Sequence, residues 1–173
     1  MERISELTYQ ILAYSELTEV NSNEAIDWAS EMISLGYESP HLFMLASFTK
    51  PTNYFEVIDY VKKSVAELGF EMKEGRAALM SYATYYVIQI SKETIIRSNL
   101  DILYRLYQQT DEEHSLHVFY LLSWAWDDLD YDPNYTHYWE GATRYNIAAT
   151  VIKEAKKWLQ GNKPVIAQRY QGK

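Results

Sequence analysis

His114 and His117 stand three residues apart, with Glu113 directly before them. On a helix, positions three and four apart share a face, so this trio could converge on one metal ion. The spacing is not HExxH, and the chain has a single Glu-x-x-His pair, Glu38 and His41, where the di-iron pattern needs two, which removes the zinc-protease and di-iron patterns. Helix-start capping and ordinary polar packing account for these residues, and no metal is expected. His137 and Glu140 make a second i,i+3 pair inside NYTHYWEG, and His41 has no obvious partner. Asp127 and Asp128 are neighbours in sequence and need not face each other, so they form no evident acid–base pair. The chain has no cysteine, which excludes disulfides, thiolate catalysis and cysteine zinc sites. No serine-nucleophile motif or P-loop is present. SLGYES and ELGFEM hold single glycines and cannot cradle a phosphate. No catalytic residue is assigned and no cofactor is expected. An enzyme built on this chain, metal-dependent or cofactor-free, would draw its site from residues 113–140.

Charge is the more informative signal. Between Leu106 and Thr143 the chain has no Lys or Arg, but it has Asp111, Glu112, Glu113, Asp127, Asp128, Asp130, Asp132 and Glu140. These eight acids match the net charge of −8. Asp111, Glu112 and Glu113 fit a helix start, where free N–H groups favour carboxylates. Asp130 or Asp132 fits the turn before Pro133. Asp127 and Asp128 fall near a helix C-terminus, the electrostatically poor end. They read either as solvated surface or as part of a negative patch that meets a basic partner. Calcium is disfavoured, because DDLDYDPN lacks the glycine and distal glutamate of an EF-hand loop. Tyr131, Tyr135, Tyr138 and Trp139 lie beside the acids and are the residue types that anchor interfaces.

Composition bounds the alternatives. A chain of 173 residues, 47% hydrophobic and 23% charged, fits one globular domain spanning 1–173 and argues against disorder. A calculated pI near 5.0 disfavours nonspecific nucleic-acid binding. Lys153, Lys156 and Lys157 are read as complementing the dipole at the end of the last helix. No run reaches the ~18 apolar residues of a membrane span, and MERISELTYQ has no apolar signal core. These features suit the cytoplasm.

The elements that must position these residues are helical in period. Segments 5–16, 24–35, 41–48, 53–68, 79–90, 96–107, 112–129 and 142–159 carry apolar positions three and four apart. Ser5 and Ser39 are candidate caps. TYYVIQI is β-prone alone but sits in a helical pattern. The stripe of the fourth segment is Phe55, Ile58, Val61, Val65 and Leu68. Segment 112–129 is apolar all round and is expected to be the central, buried helix. Residues 130–134 are expected as a loop, and Gly161, Pro164 and Gly172 mark an irregular tail. The expected fold is all-α, a single-domain irregular helical bundle of about seven helices. SLGYE at 34–38 and ELGFE at 67–71 are matched helix stops 33 residues apart. They admit a short helical-hairpin array as a variant.

Residues 27–70 carry two recognisable pieces. One is Trp28, Ala29, Gly36, Tyr37, Ser39, Pro40, Leu42, Leu45 and Ala46. The other is Phe55, Glu56, Val57, Leu68 and Gly69. This stretch resembles a poorly characterised bacterial all-helical family loosely associated with toxin-immunity gene clusters. The resemblance implies a protein that binds and masks another protein, and it carries over no functional residue. The expected function is therefore a protein-binding module of the immunity type, which masks a basic toxin by noncovalent occlusion. Asp127, Asp128, Asp130, Asp132, Tyr131, Tyr135, Tyr138 and Trp139 would form the binding surface. A structural homo-oligomer is the remaining alternative.

Overall fold

A computed structural model describes residues 3–17, 20–111 and 113–166. Glu112 and Gly172, both weighed above, lie outside the described residues. The described chain is all-α, an irregular bundle of eight α-helices and one 3-10 turn. The α-helices are α1 (Thr8–Ile11), α2 (Ser22–Ser34), α3 (Pro40–Ala46), α4 (Tyr54–Glu67), α5 (Gly75–Ser91), α6 (Ile96–Gln109), α7 (His117–Tyr131) and α8 (Ile147–Asn162). Among the described residues, no helix is long and apolar enough to cross a membrane. The chain forms two compact units, one up to Tyr85 and again from Pro164, the other Tyr86–Lys163. Helix α5 begins in the first and ends in the second.

In the first unit the helix boundaries follow capping chemistry. Asn21 Oδ1 accepts from Asn23 N at the start of α2. Ser39 Oγ accepts from Leu42 N at the start of α3, where Pro40 occupies the first turn. Asn53 and Glu56 form a reciprocal capping box on α4. The two matched stops are true C-terminal motifs. Gly36 takes φ +93° while Tyr37 N donates to Met32 O. Gly69 takes φ +76° while Phe70 N donates to Val65 O. The aromatic residues after the two stops meet, with Tyr37 and Phe70 ring centroids 6.3 Å apart.

Three expectations about the elements change. The first helix shrinks to Thr8–Ile11 because its backbone acceptors are claimed elsewhere. Lys73 N donates to Leu12 O at 2.7 Å, and Ser81 Oγ donates to Tyr9 O at 2.7 Å. Ser5 still turns the chain, its Oγ accepting from Leu7 N. Phe55 is exposed, and Val57 takes its expected place beside Val61 and Val65. Counting back by three and four from Leu68 reaches Val65, Val61 and Val57, and Phe55 falls off that stripe. The most buried helix is α5, not α7: Ala78 to Thr84 and Tyr86 to Ile88 are buried without a break. Its interior polar groups are small hydroxyls that find carbonyls, Ser81 at Tyr9 O and Thr84 at Met80 O. Helix α7 carries Asp127, Asp128 and two tryptophans, and one side of it is only partly buried.

In the second unit α6, α7 and α8 pack on one another. Leu100, Leu103, Leu116, Phe119, Leu122, Leu129 and Val151 are buried there. Arg97, near the start of α6, pairs with Asp127, late in α7, while Tyr107 meets His117 at the opposite ends. The two helices are therefore antiparallel. Helix α8 runs through Gly161 to Asn162, so Lys153, Lys156 and Lys157 lie in its body and not in its last turn. Their role is a solvated face, with Lys157 Nζ 3.6 Å from Glu154.

Candidate functional site

The candidate site is the end of α7 and the segment that returns from it to α8. The eight residues expected to bind divide into two groups. Asp127, Asp128 and Tyr138 serve the scaffold. Asp127 pairs with Arg97, whose guanidinium also lies 3.5 Å from Asp101 and 5.2 Å from the Trp126 ring centre. Asp127 is thus engaged by a cation of its own unit. Asp128 Oδ2 accepts from Thr136 Oγ1 at 3.0 Å and from His137 N at 3.4 Å, which fastens the returning segment to the helix. Tyr138 stacks on Trp124, 5.7 Å between centroids and 23° between planes.

The second group faces outward. Asp130, Tyr131, Asp132 and Tyr135 are exposed, Tyr131 at 93% and Tyr135 at 56%. Asp132 Oδ1 also accepts from Asn134 N at 3.1 Å, shaping the turn. Helix α7 runs through Asp130 and Tyr131, where a loop was expected, and Asp132 N closes it on Asp128 O. Trp139 is half-buried and lines a cleft of about 310 Å³ formed by residues 134–137 and 139–143.

Two residues beside the candidate site escaped the sequence reading. Tyr145 was placed inside the last helix but is 89% exposed, two residues before α8 begins. The helix starts late because Arg144 N donates to Pro133 O at 2.8 Å, drawing the chain back to the loop. Asn146 Oδ1 then accepts from Thr143 N. Arg144 is the second residue. Its guanidinium donates to Leu129 O at 3.2 Å and Asp130 O at 2.6 Å, a cation placed on the carbonyl end of α7. The only sequence signal was its position as the first cation after the acidic span.

The histidines separate. His117 Nδ1 lies 2.9 Å from Tyr107 OH inside a run of stacked rings that includes Tyr120 and Tyr104. His114 is exposed in the 3-10 turn His114–Leu116, and Glu113 Oε1 accepts from Ser115 N and Ser115 Oγ. His41 pairs with Glu67, which burial alone would raise; the bonds from His41 and Ser39 outweigh it and hold the carboxyl below its ordinary range. His137 and Glu140 line the same cleft, where Tyr135 OH meets His137 Nδ1 at 3.0 Å. Among the described residues, no three His, Asp or Glu side chains are grouped to hold a metal ion.

The first unit also gathers acids, a feature not visible in the linear charge pattern. Tyr85 is pushed up to about 12 by burial and by Glu24, Glu31, Glu6 and Asp27. Glu24 is raised by burial and by Asp27, with Gln10 and Lys50 opposing. The Gln10 amide that opposes this rise is itself fully buried.

Comparison of the chain with protein-family models, with curated proteins and with solved structures finds no significant match.

Proposed function

We propose that this chain is a protein-binding module that presents residues 130–145 to a partner with a basic surface. Its mode of action is noncovalent occlusion, as an immunity protein masks a basic toxin. One observation carries this reading: Tyr131, Tyr135 and Tyr145 are exposed beside the exposed acids Asp130, Asp132 and Glu140. Large exposed aromatics supply contact area at small conformational cost, and they dominate binding energy where they are desolvated. The acids add long-range attraction that speeds encounter with a cation.

The segment is also held in shape before any partner arrives. Asp128 fastens Thr136 and His137, Arg144 fastens the last turn of α7, and Tyr138 stacks on Trp124. A loop already ordered loses less entropy on binding. The acidic patch is narrower than the sequence suggested, since Asp127 and Asp128 are engaged within the unit. It is centred on Asp130, Asp132 and Glu140.

Capture from the native host tests this reading with the wild-type chain and with a Tyr131→Ser/Tyr145→Ser variant. Both positions are exposed, so the variant keeps the fold. The expected result is a basic protein recovered in near-equimolar amount by the wild type and lost by the variant. Equal recovery by both, or a partner without basic character, would overturn the proposal.

A further inference from the structure

We infer that the open cleft lined by residues 134–137 and 139–143 receives the side-chain ammonium of a lysine from the basic partner. This rests on the protein-binding reading above and names what its central recess recognises. The volume of about 310 Å³ lies at the lower bound of ligand pockets, room for one long side chain more than for a cofactor. Two aromatic residues, Tyr135 and Trp139, line it together with the acidic residue Glu140. Aromatic faces attract a cation through their negative quadrupole, and a carboxylate completes such a site with a charge-assisted hydrogen bond.

The competing charge is kept away from the recess. Arg144 is the only Lys or Arg in residues 130–145, and its guanidinium is committed to the carbonyls of Leu129 and Asp130. It does not line the cleft. His137 does, and its Nδ1 is engaged by Tyr135 OH, which also fixes the tyrosine ring edge-on to the imidazole at 4.9 Å. Tyr138, between these residues in sequence, points to Trp124 instead. The walls are rigid because the loop closes on itself: Arg144 N bonds Pro133 O, Ala142 N bonds Trp139 O, and Asn146 Nδ2 bonds Gly141 O. Gly141 takes φ +76°, a left-handed turn that brings Glu140 and Thr143 around the same opening.

The test is a proton–nitrogen NMR titration of the full chain with Nα-acetyl-lysine amide. Its Nε-acetylated analogue, which keeps the length and loses the charge, is the comparison. The expected result is a saturable shift of the Trp139 indole N–H and of amides 134–143 with the charged probe, half-complete near ~1 mM. The analogue should leave them unmoved. Glu140→Gln should weaken the charged probe about tenfold while the remaining spectrum stays in place. Tyr135→Leu, also at an exposed position, should weaken it several-fold. No shift up to ~50 mM, equal shifts with both probes, or full binding by Glu140→Gln would overturn the inference. The two proposals fail separately. Partner capture that depends on Tyr131 and Tyr145 while the cleft ignores lysine refutes only the recess. A seated lysine probe with no basic partner captured refutes only the docking surface.

Discussion

Glu24 holds a carboxylate where its surroundings oppose the charge. Burial acts first, Asp27 second, and the Gln10 amide and Lys50 compensate in part. Its pKa is therefore higher in the folded chain than in the unfolded one, and the folded state holds the proton more tightly. Stability then falls as pH rises from the ordinary carboxylate range through the folded value of Glu24, and the cost is constant above it. Glu24→Gln removes this cost. The variant is expected to melt at a higher temperature than the wild type at neutral pH, with the gain fading as pH drops below about 4. The same substitution should let Tyr85 ionise at lower pH, because Glu24 is the leading charge acting on its hydroxyl after burial itself. Thermal melts across pH and an ultraviolet tyrosine titration measure both. An unchanged or lower melting temperature at neutral pH would show that the Glu24 charge is compensated in the folded state.

Helix stops were the most legible elements. Leu35-Gly36-Tyr37 and Leu68-Gly69-Phe70 spell a left-handed stop followed by an aromatic, and both form it. Such a motif is local, so the sequence contains all its determinants. Gly36 has open space where a Cβ would go, so only its backbone conformation resists a side chain. Gly36→Ala should cost about 1 kcal/mol, seen as a lower urea midpoint with an unchanged slope. A neutral effect would mean that the α2 ending does not need the left-handed turn. The Ser39 cap at the start of α3 was legible for the same local reason. Segment 5–16 was not, because its shortening depends on Lys73 and Ser81, more than fifty residues away in sequence. The start of α8 was missed likewise, since the bond that delays it comes from Pro133.

At the scale of the molecule, the all-α class followed from periodicity alone, while the distribution of charge did not. The run without Lys or Arg between Leu106 and Thr143 is real in sequence, yet Arg97 and Arg144 reach into it from either side. Asp127, which with Asp128 fitted neither a helix start nor a turn, pairs with Arg97. Conversely, Glu6, Glu24, Asp27 and Glu31 surround Tyr85 in the first unit although nothing in their spacing announced it. Long-range pairing decides which acids face a partner, and pairing is a property of the fold. What survives as a candidate surface is compact: Asp130, Tyr131, Asp132, Tyr135, Glu140 and Tyr145, carried on a braced segment.

Amide hydrogen exchange on the complex with the captured partner tests that surface most directly. The account predicts added protection concentrated in residues 130–145, with association slowing steeply as salt is raised. Protection confined to α3 or the lysine face of α8, with 130–145 exchanging as in the free chain, would contradict it.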